Sequence, residues 1–297
     1  MKQFIGGETA KRFFLDVKQK KPRGSFLFVG PPRVGKASFA KWLVGELHDS
    51  DKFDPDLFVL EGEGGIKIEQ VRELSRFLNL KPQQFTPKVA LIVDTERLSP
   101  PAANALLKTL EEPVGESLII LTASSPELLL PTIVSRCLIV RFGLVDRKTI
   151  QQELIKRGRG QKEAEEIAYL SHGRTGEALR LSQDEGALQV ARENLQEIVR
   201  LIRGFPFERL SLLAQGLRSS ELREKLALLL EASLVLAEAK TSTSQEWLPV
   251  PAEKLPLTSL IHLAALLEEA LYYLGRNQNA NLVLGNLLLS LEQKTID

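Results

Sequence analysis

The sequence predicts an α/β domain built on a parallel sheet, followed by two helical parts. Three observations carry this reading. Near-continuous apolar runs of strand length alternate with helical patterns over residues 1–143, a glycine-rich loop stands between the first such run and the first helix, and strand signals fade after residue 143.

The elements follow in order. "SFLFV" (25–29) is a short apolar run ending in glycine and proline, a buried strand that runs into a turn. From Lys36 the pattern turns helical, with Phe39, Leu43 and Leu47 on one side. "LFVL" (57–60) reads as a second strand, and the helix beyond it turns Val71, Leu74, Phe77 and Leu78 to its apolar side. "VALIV" (89–93) and "LIILT" (118–122) are two further strands, apolar throughout as expected where helices cover both faces of a sheet. Between them "SPPAANALLKTLEE" reads as a helix with Pro100 and Pro101 at its entrance, and "CLIVRF" (137–142) closes the series. Three short helices with glycine-bearing breaks then fill a small helical domain, 144–186. Residues 187–297 are helical again, with pauses at 203–208, 241–256 and 274–279 that suggest a bundle rather than one rod.

Bulk numbers exclude several classes. Thirty-nine basic residues against thirty-eight acidic ones leave a net charge of +1, so no global field drives the chain onto nucleic acid. The basic runs "VKQKKPR" (17–23) and "KRGRG" (156–160) are short and read as solvated faces. A single cysteine, Cys137, excludes an internal disulfide framework and a thiolate-rich zinc module. The first twenty residues scatter charges among apolar ones and make a poor secretory signal. The longest apolar runs, such as 226–237, carry a glutamate and fall short of the roughly 20 residues of a membrane span. No membrane association is expected, and the cytoplasm is the natural compartment.

"LFVGPPRVGKAS" (27–38) fits G-x4-G-K through Gly30, Gly35 and Lys36. Glycines let backbone N–H groups approach phosphate oxygens, the lysine reaches the terminal phosphates, and the following helix points its positive end at the same anion. Phosphoryl transfer also needs magnesium held by a loop hydroxyl and a strand carboxylate, with a group to orient the attacking water. Asp94 can supply the carboxylate. Ala37 stands where the hydroxyl belongs, Ser38 is one position late, and Thr95 replaces the expected acid, with Glu96 again one position late on the alternating face of a strand. No hydrolysis by the chain alone is expected. The retained glycines and lysine leave weak ATP or ADP binding open, beside a loop kept only to shape the domain.

With these residues in view, "LFVGPPRVGK", "IKIEQVREL", "KVALIVDTERLSPPAANALLKTLEEP", "LIILTASSPELLLPTIVSRC" and "NQNANLVLGNLLLSL" together resemble the clamp-loader subunits of bacterial DNA polymerase III, members of the AAA+ class. Within that family the degenerate loop and the 297-residue length look like delta-prime rather than the hydrolysing gamma/tau subunit. The resemblance implies an AAA+ P-loop domain (1–143), a helical lid (144–186) and a helical collar (187–297). It implies gamma/tau and delta subunits as partners, with the sliding clamp and primer-template DNA reached through the assembled complex. Arg136 in "SRC" resembles the arginine offered in trans to a neighbour's ATP, or else is a surface arginine at a strand entrance paired with a carboxylate; Ser135 and Cys137 then set the geometry around it. Thr122 sits where the family carries a polar sensor of the terminal phosphate, or else caps its strand. Arg174 lies near the second sensor, or is a plain loop arginine. Many relatives insert a four-cysteine zinc module where this chain has "LHDSDKFDPDLFVLEGEG" (47–64), so no zinc is expected. The competing reading is a stand-alone or self-assembling ATPase, including a drifted gamma/tau-like motor subunit, with Ser38 and Glu96 as substitutes.

Overall fold

Each strand of the α/β part places alternate residues on opposite faces, and both faces are apolar. Leu27, Val29, Ala90, Ile92, Ile119 and Leu121 pack on one side; Phe26, Phe28, Val89, Leu91, Leu118 and Ile120 pack on the other. The computed structural model describes residues 23–48, 54–62, 64–84, 87–111, 117–203, 219–240 and 255–292. Its strands are β1 (Gly24–Val29), β2 (Leu57–Leu60), β3 (Lys88–Ile92), β4 (Ser117–Ala123) and β5 (Leu138–Arg141), in the order β2-β3-β4-β1-β5. All pairings are parallel, with Gly24 opposite Leu118 and Phe26 opposite Leu138.

Helix α1 (Lys36–His48) covers the phenylalanine face. Phe39 meets Phe28 and Phe142 with ring centroids 5.8 and 5.5 Å apart. Helices α2 (Ile68–Asn79), α3 (Pro100–Glu111) and the single turn α4 (Pro131–Val134) cover the other face through Val71, Leu74, Leu106, Leu110 and Ile133. The order places β1 between β4 and β5, so the loop after β1 opens at the carboxyl ends of the strands, where open α/β sheets hold their ligands. With the helical region that follows, this is an AAA+-like arrangement of P-loop domain, lid and collar.

The chain divides into two compact units. The first comprises Met1–Ile150 together with Gly173–Glu177. The second comprises Gln151–His172 and Ala178–Asp297. Beyond β5 the helices are α5 (Arg147–Lys156), α6 (Gln161–Leu170), α7 (Thr175–Gln183), α8 (Glu185–Arg203), α9 (Ser219–Lys240), α10 (Leu257–Gly275) and α11 (Ala280–Glu292). In the second unit Arg192 of α8 grips Glu166 of α6 with two bonds of 2.7 Å, and this hydrogen bonding raises the arginine's pKa. Contrary to the sequence reading that no apolar run reaches the length of a membrane span, helix α10 is long and apolar enough by length and composition; Leu260, Leu263, Leu267 and Leu274 are buried and it packs on α9 and α11.

Within the run 156–160, Lys156 pairs with Glu153, and Arg159 with Glu163 at 3.0 Å and with the Ser182 carbonyl. Residues 17–22 of the other basic run, the first twenty residues, and 204–208 and 241–254 of the expected pauses lie outside the described residues.

Candidate functional site

The loop after β1 is closed by its own chain. A Cβ on Gly30 would stand 2.1 Å from the Phe142 carbonyl oxygen, so only glycine lets the loop leave β1 beside the end of β5. Lys36, 6% exposed, donates from Nζ to the carbonyls of Gly30 (2.6 Å) and Pro31 (2.9 Å). Burial lowers its pKa, against the opposing pull of Asp94 and Glu96. Gly35 adopts φ of +98° before α1, Ala37 is half-buried, and Ser38 is exposed.

At the end of β3 the chain leaves the sheet sooner than expected. The strand stops at Ile92, and Thr95–Arg97 form a 3-10 turn entered through Asp94 in the left-handed region. Strand alternation therefore does not govern Thr95 and Glu96, contrary to the sequence argument. Thr95 is buried, its hydroxyl 3.4 Å from the Ile92 carbonyl. Glu96 turns towards β4, and its Oε1 accepts from Ser124 N–H (3.0 Å) and Oγ (2.7 Å). The Asp94 carboxylate lies 3.7 Å from Arg97 Nε. Thr122, buried at the end of β4, accepts a 3.0 Å bond from the Asp94 N–H and so joins the two strand ends. The structure thus gathers Lys36, Asp94, Glu96 and Thr122 around the carboxyl ends of β1, β3 and β4.

The interval expected to lack zinc is built differently. His48 Nδ1 is 2.6 Å from Asp54 and Nε2 2.8 Å from the Pro87 carbonyl. Among the described residues no group of three or more His, Cys, Asp and Glu side chains could hold a metal ion.

Arg136 follows α4 and points to the surface of the first unit. It donates to the Thr132 carbonyl (2.8 Å) and to the Glu111 carboxylate at the end of α3. The Ser135 hydroxyl bonds the same Thr132 carbonyl at 3.2 Å, which knits the turn that carries the arginine. Cys137 is half-buried against the core, and burial pushes its thiol up to about 12.

The sequence model of the family described as "DNA polymerase III, delta subunit" matches residues 49–146. The delta' subunit of DNA polymerase III from Yersinia pestis is 34% identical over 230 residues, covering 71% of this chain and 63% of the relative. The delta' subunit from Pseudomonas aeruginosa is 46% identical over 86 residues, 28% of this chain and 26% of the relative. The chain matches the delta'/gamma/tau family of DNA polymerase III. Its matches span less than two thirds of these delta' relatives. A solved structure of a gamma subunit-related protein from Thermotoga maritima superposes with a TM-score of 0.63 at 20% identity, over 97% of this chain and 99% of that one.

Sequence reasoning missed two features of this site. Glu111, the partner of Arg136, gave no signal because it reads as one more charge at a helix end. The other is the way "GRTGE" (173–177), which belongs to the first unit, touches the loop through Thr175 and Glu177. Arg174, read as a sensor or as a plain loop arginine, is half-buried beside these contacts. A clue was present in Gly176: a glycine in a helix's first turn weakens the helix and asks for a packing reason.

Proposed function

We propose that this chain is a delta'-type subunit of a DNA polymerase III clamp loader. It helps place the sliding clamp on primed DNA, does not hydrolyse ATP by itself, and offers Arg136 to ATP held by a neighbouring gamma/tau subunit. The gamma/tau and delta subunits are its direct partners, and the assembly works in the cytoplasm. In that assembly residues 1–143 act as the P-loop domain, 144–186 as the lid and 187–297 as the collar.

The observation that carries this reading is the setting of Arg136. Its side chain is 31% exposed and its partner Glu111 is 48% exposed. Such a pair is worth about 0–1 kcal/mol, so the guanidinium can exchange Glu111 for a phosphate at little cost. Planar and permanently charged, it suits the equatorial oxygens of a transferring phosphoryl group, where an arginine supplied in trans contributes about 10³–10⁵ in rate.

The loop supports the negative half of the proposal. Ala37 offers a methyl group, Thr95 faces the Ile92 carbonyl, and Glu96 is engaged with Ser124. The exposed Ser38 lends no support to a stand-alone ATPase.

The deciding experiment is the ATPase rate, stimulated by clamp and primed DNA, of a loader reconstituted with gamma/tau and delta. Arg136→Ala should lower it at least tenfold at equal assembly, by the scale of trans-acting arginines. Glu111→Gln, which frees the guanidinium without removing it, should leave the rate near wild type. An unchanged rate in Arg136→Ala refutes the role of this arginine.

A further inference from the structure

The first turn of α7 is folded onto the phosphate loop of its own unit. Gly173 accepts at its carbonyl from the Val145 N–H (2.8 Å), which anchors the approach. The buried Thr175 hydroxyl donates to the Val34 carbonyl at 2.9 Å. Glu177 N–H donates to the Arg33 carbonyl at 2.9 Å, and its carboxylate lies 3.4 Å from Arg33 Nη1.

These bonds tie loop carbonyls to donors of the chain itself. The side chain of this loop that would reach a phosphate is Lys36. Lys36 is likewise bound to the Gly30 and Pro31 carbonyls, so chain donors hold the loop at four carbonyls: Gly30, Pro31, Arg33 and Val34.

Gly176 closes the remaining space. A Cβ on it would lie 2.7 Å from the Arg33 oxygen and 2.8 Å from the Gly35 nitrogen, nearer than real Cβ atoms come. On that side of Gly35 there is no room for a methyl group. A phosphate is larger.

We propose that the phosphate loop is an internal docking site whose occupant is Gly173–Glu177, and that this latch and a loop-bound phosphate exclude one another. The loop survives, on this account, as the receptor that fixes the first turn of α7. The proposal stands independently of Arg136, which lies on a different element and enters none of these contacts.

Hydrogen exchange on the full chain, with titration of a fluorescent N-methylanthraniloyl ATP and magnesium, tests both parts. Thr175→Val deletes one latch bond while keeping the side chain's shape, and Gly176→Ala forces the segment off the loop. Peptides from β3 and β4 report whether each variant stays folded. Expected in both variants are exchange at residues 173–177 at least about fivefold faster than wild type, the scale of one lost hydrogen bond, and nucleotide binding at least about fivefold tighter. Wild-type exchange in both folded variants overturns the latch. Faster exchange without any gain in nucleotide binding overturns the exclusion.

Discussion

Lys36 and Cys137 are pushed by the same force in opposite directions on the stability scale. Burial lowers the pKa of Lys36 from 10.5, so between that lowered value and 10.5 the unfolded chain keeps a proton that the folded chain has released. Stability rises with pH through this window. Burial raises Cys137 from 9.0 to about 12, so the unfolded chain loses its proton first and stability falls as pH climbs through that range. Comparing wild type with Lys36→Met removes the cysteine term, which both share. Urea unfolding at pH 7, 8.5 and 10 should show wild type gaining on the variant as pH rises. A pH-independent difference would mean that the Lys36 ammonium is not desolvated in the folded chain. The same side chain serves the loop at neutral pH by joining Gly30 to Pro31, so a P-loop lysine has a holding role here that needs no nucleotide.

At the scale of elements, the end of the sheet opposite the loop is tied by ions. Asp56, fully buried just before β2, accepts from Gln83 N–H (2.9 and 3.0 Å) and Gln84 N–H (2.7 Å) in the loop entering β3. Lys88 of β3 lies 3.9 Å from it and donates to the Phe77 carbonyl at the end of α2. The network joins two strands and a helix. Asp56→Ala strands these donors and leaves Lys88 without its buried counter-charge, so it should cost about 3–5 kcal/mol in urea unfolding. A loss below about 1 kcal/mol would place the hold elsewhere. None of this could be read from the chain, because Asp56 and Lys88 stand thirty-two positions apart and look like ordinary surface charges. The strands were legible for the converse reason: "LFVL" is apolar on both faces and became β2 at the expected residues. The G-x4-G-K loop was legible from spacing. Its occupant was not, since Thr175 meets Val34 across 141 positions. Thr95 and Glu96 were misplaced because alternation holds only while the strand lasts, and β3 ends at Ile92.

For the whole molecule, charge is nearly balanced, at +1 over 297 residues. A chain with so little net field gains little from long-range steering, so any phosphate contact would need a local arrangement of cations. One such arrangement lies in the first unit. Arg72 and Arg76 of α2 and Lys108 of α3 line a cleft of about 490 Å³ together with Ser75, Asn79 and Thr109. All three cations are exposed, and the Ser75 and Thr109 hydroxyls bond at 2.8 Å to hold the two helices in register. If the assembled loader seats the duplex backbone here, each cation that meets a phosphate adds about 0.9 to the slope of log affinity against log salt. Replacing all three with alanine in the reconstituted loader should flatten that slope by about 2–3 on primer-template DNA. The loss should be alike for unrelated sequences, because phosphate contacts carry no base information. The isolated chain should bind the same DNA far more weakly, with a shallow slope in both forms. An unchanged slope in the loader would remove this cleft from the DNA path and leave the positive surface of the partner subunits to hold the duplex.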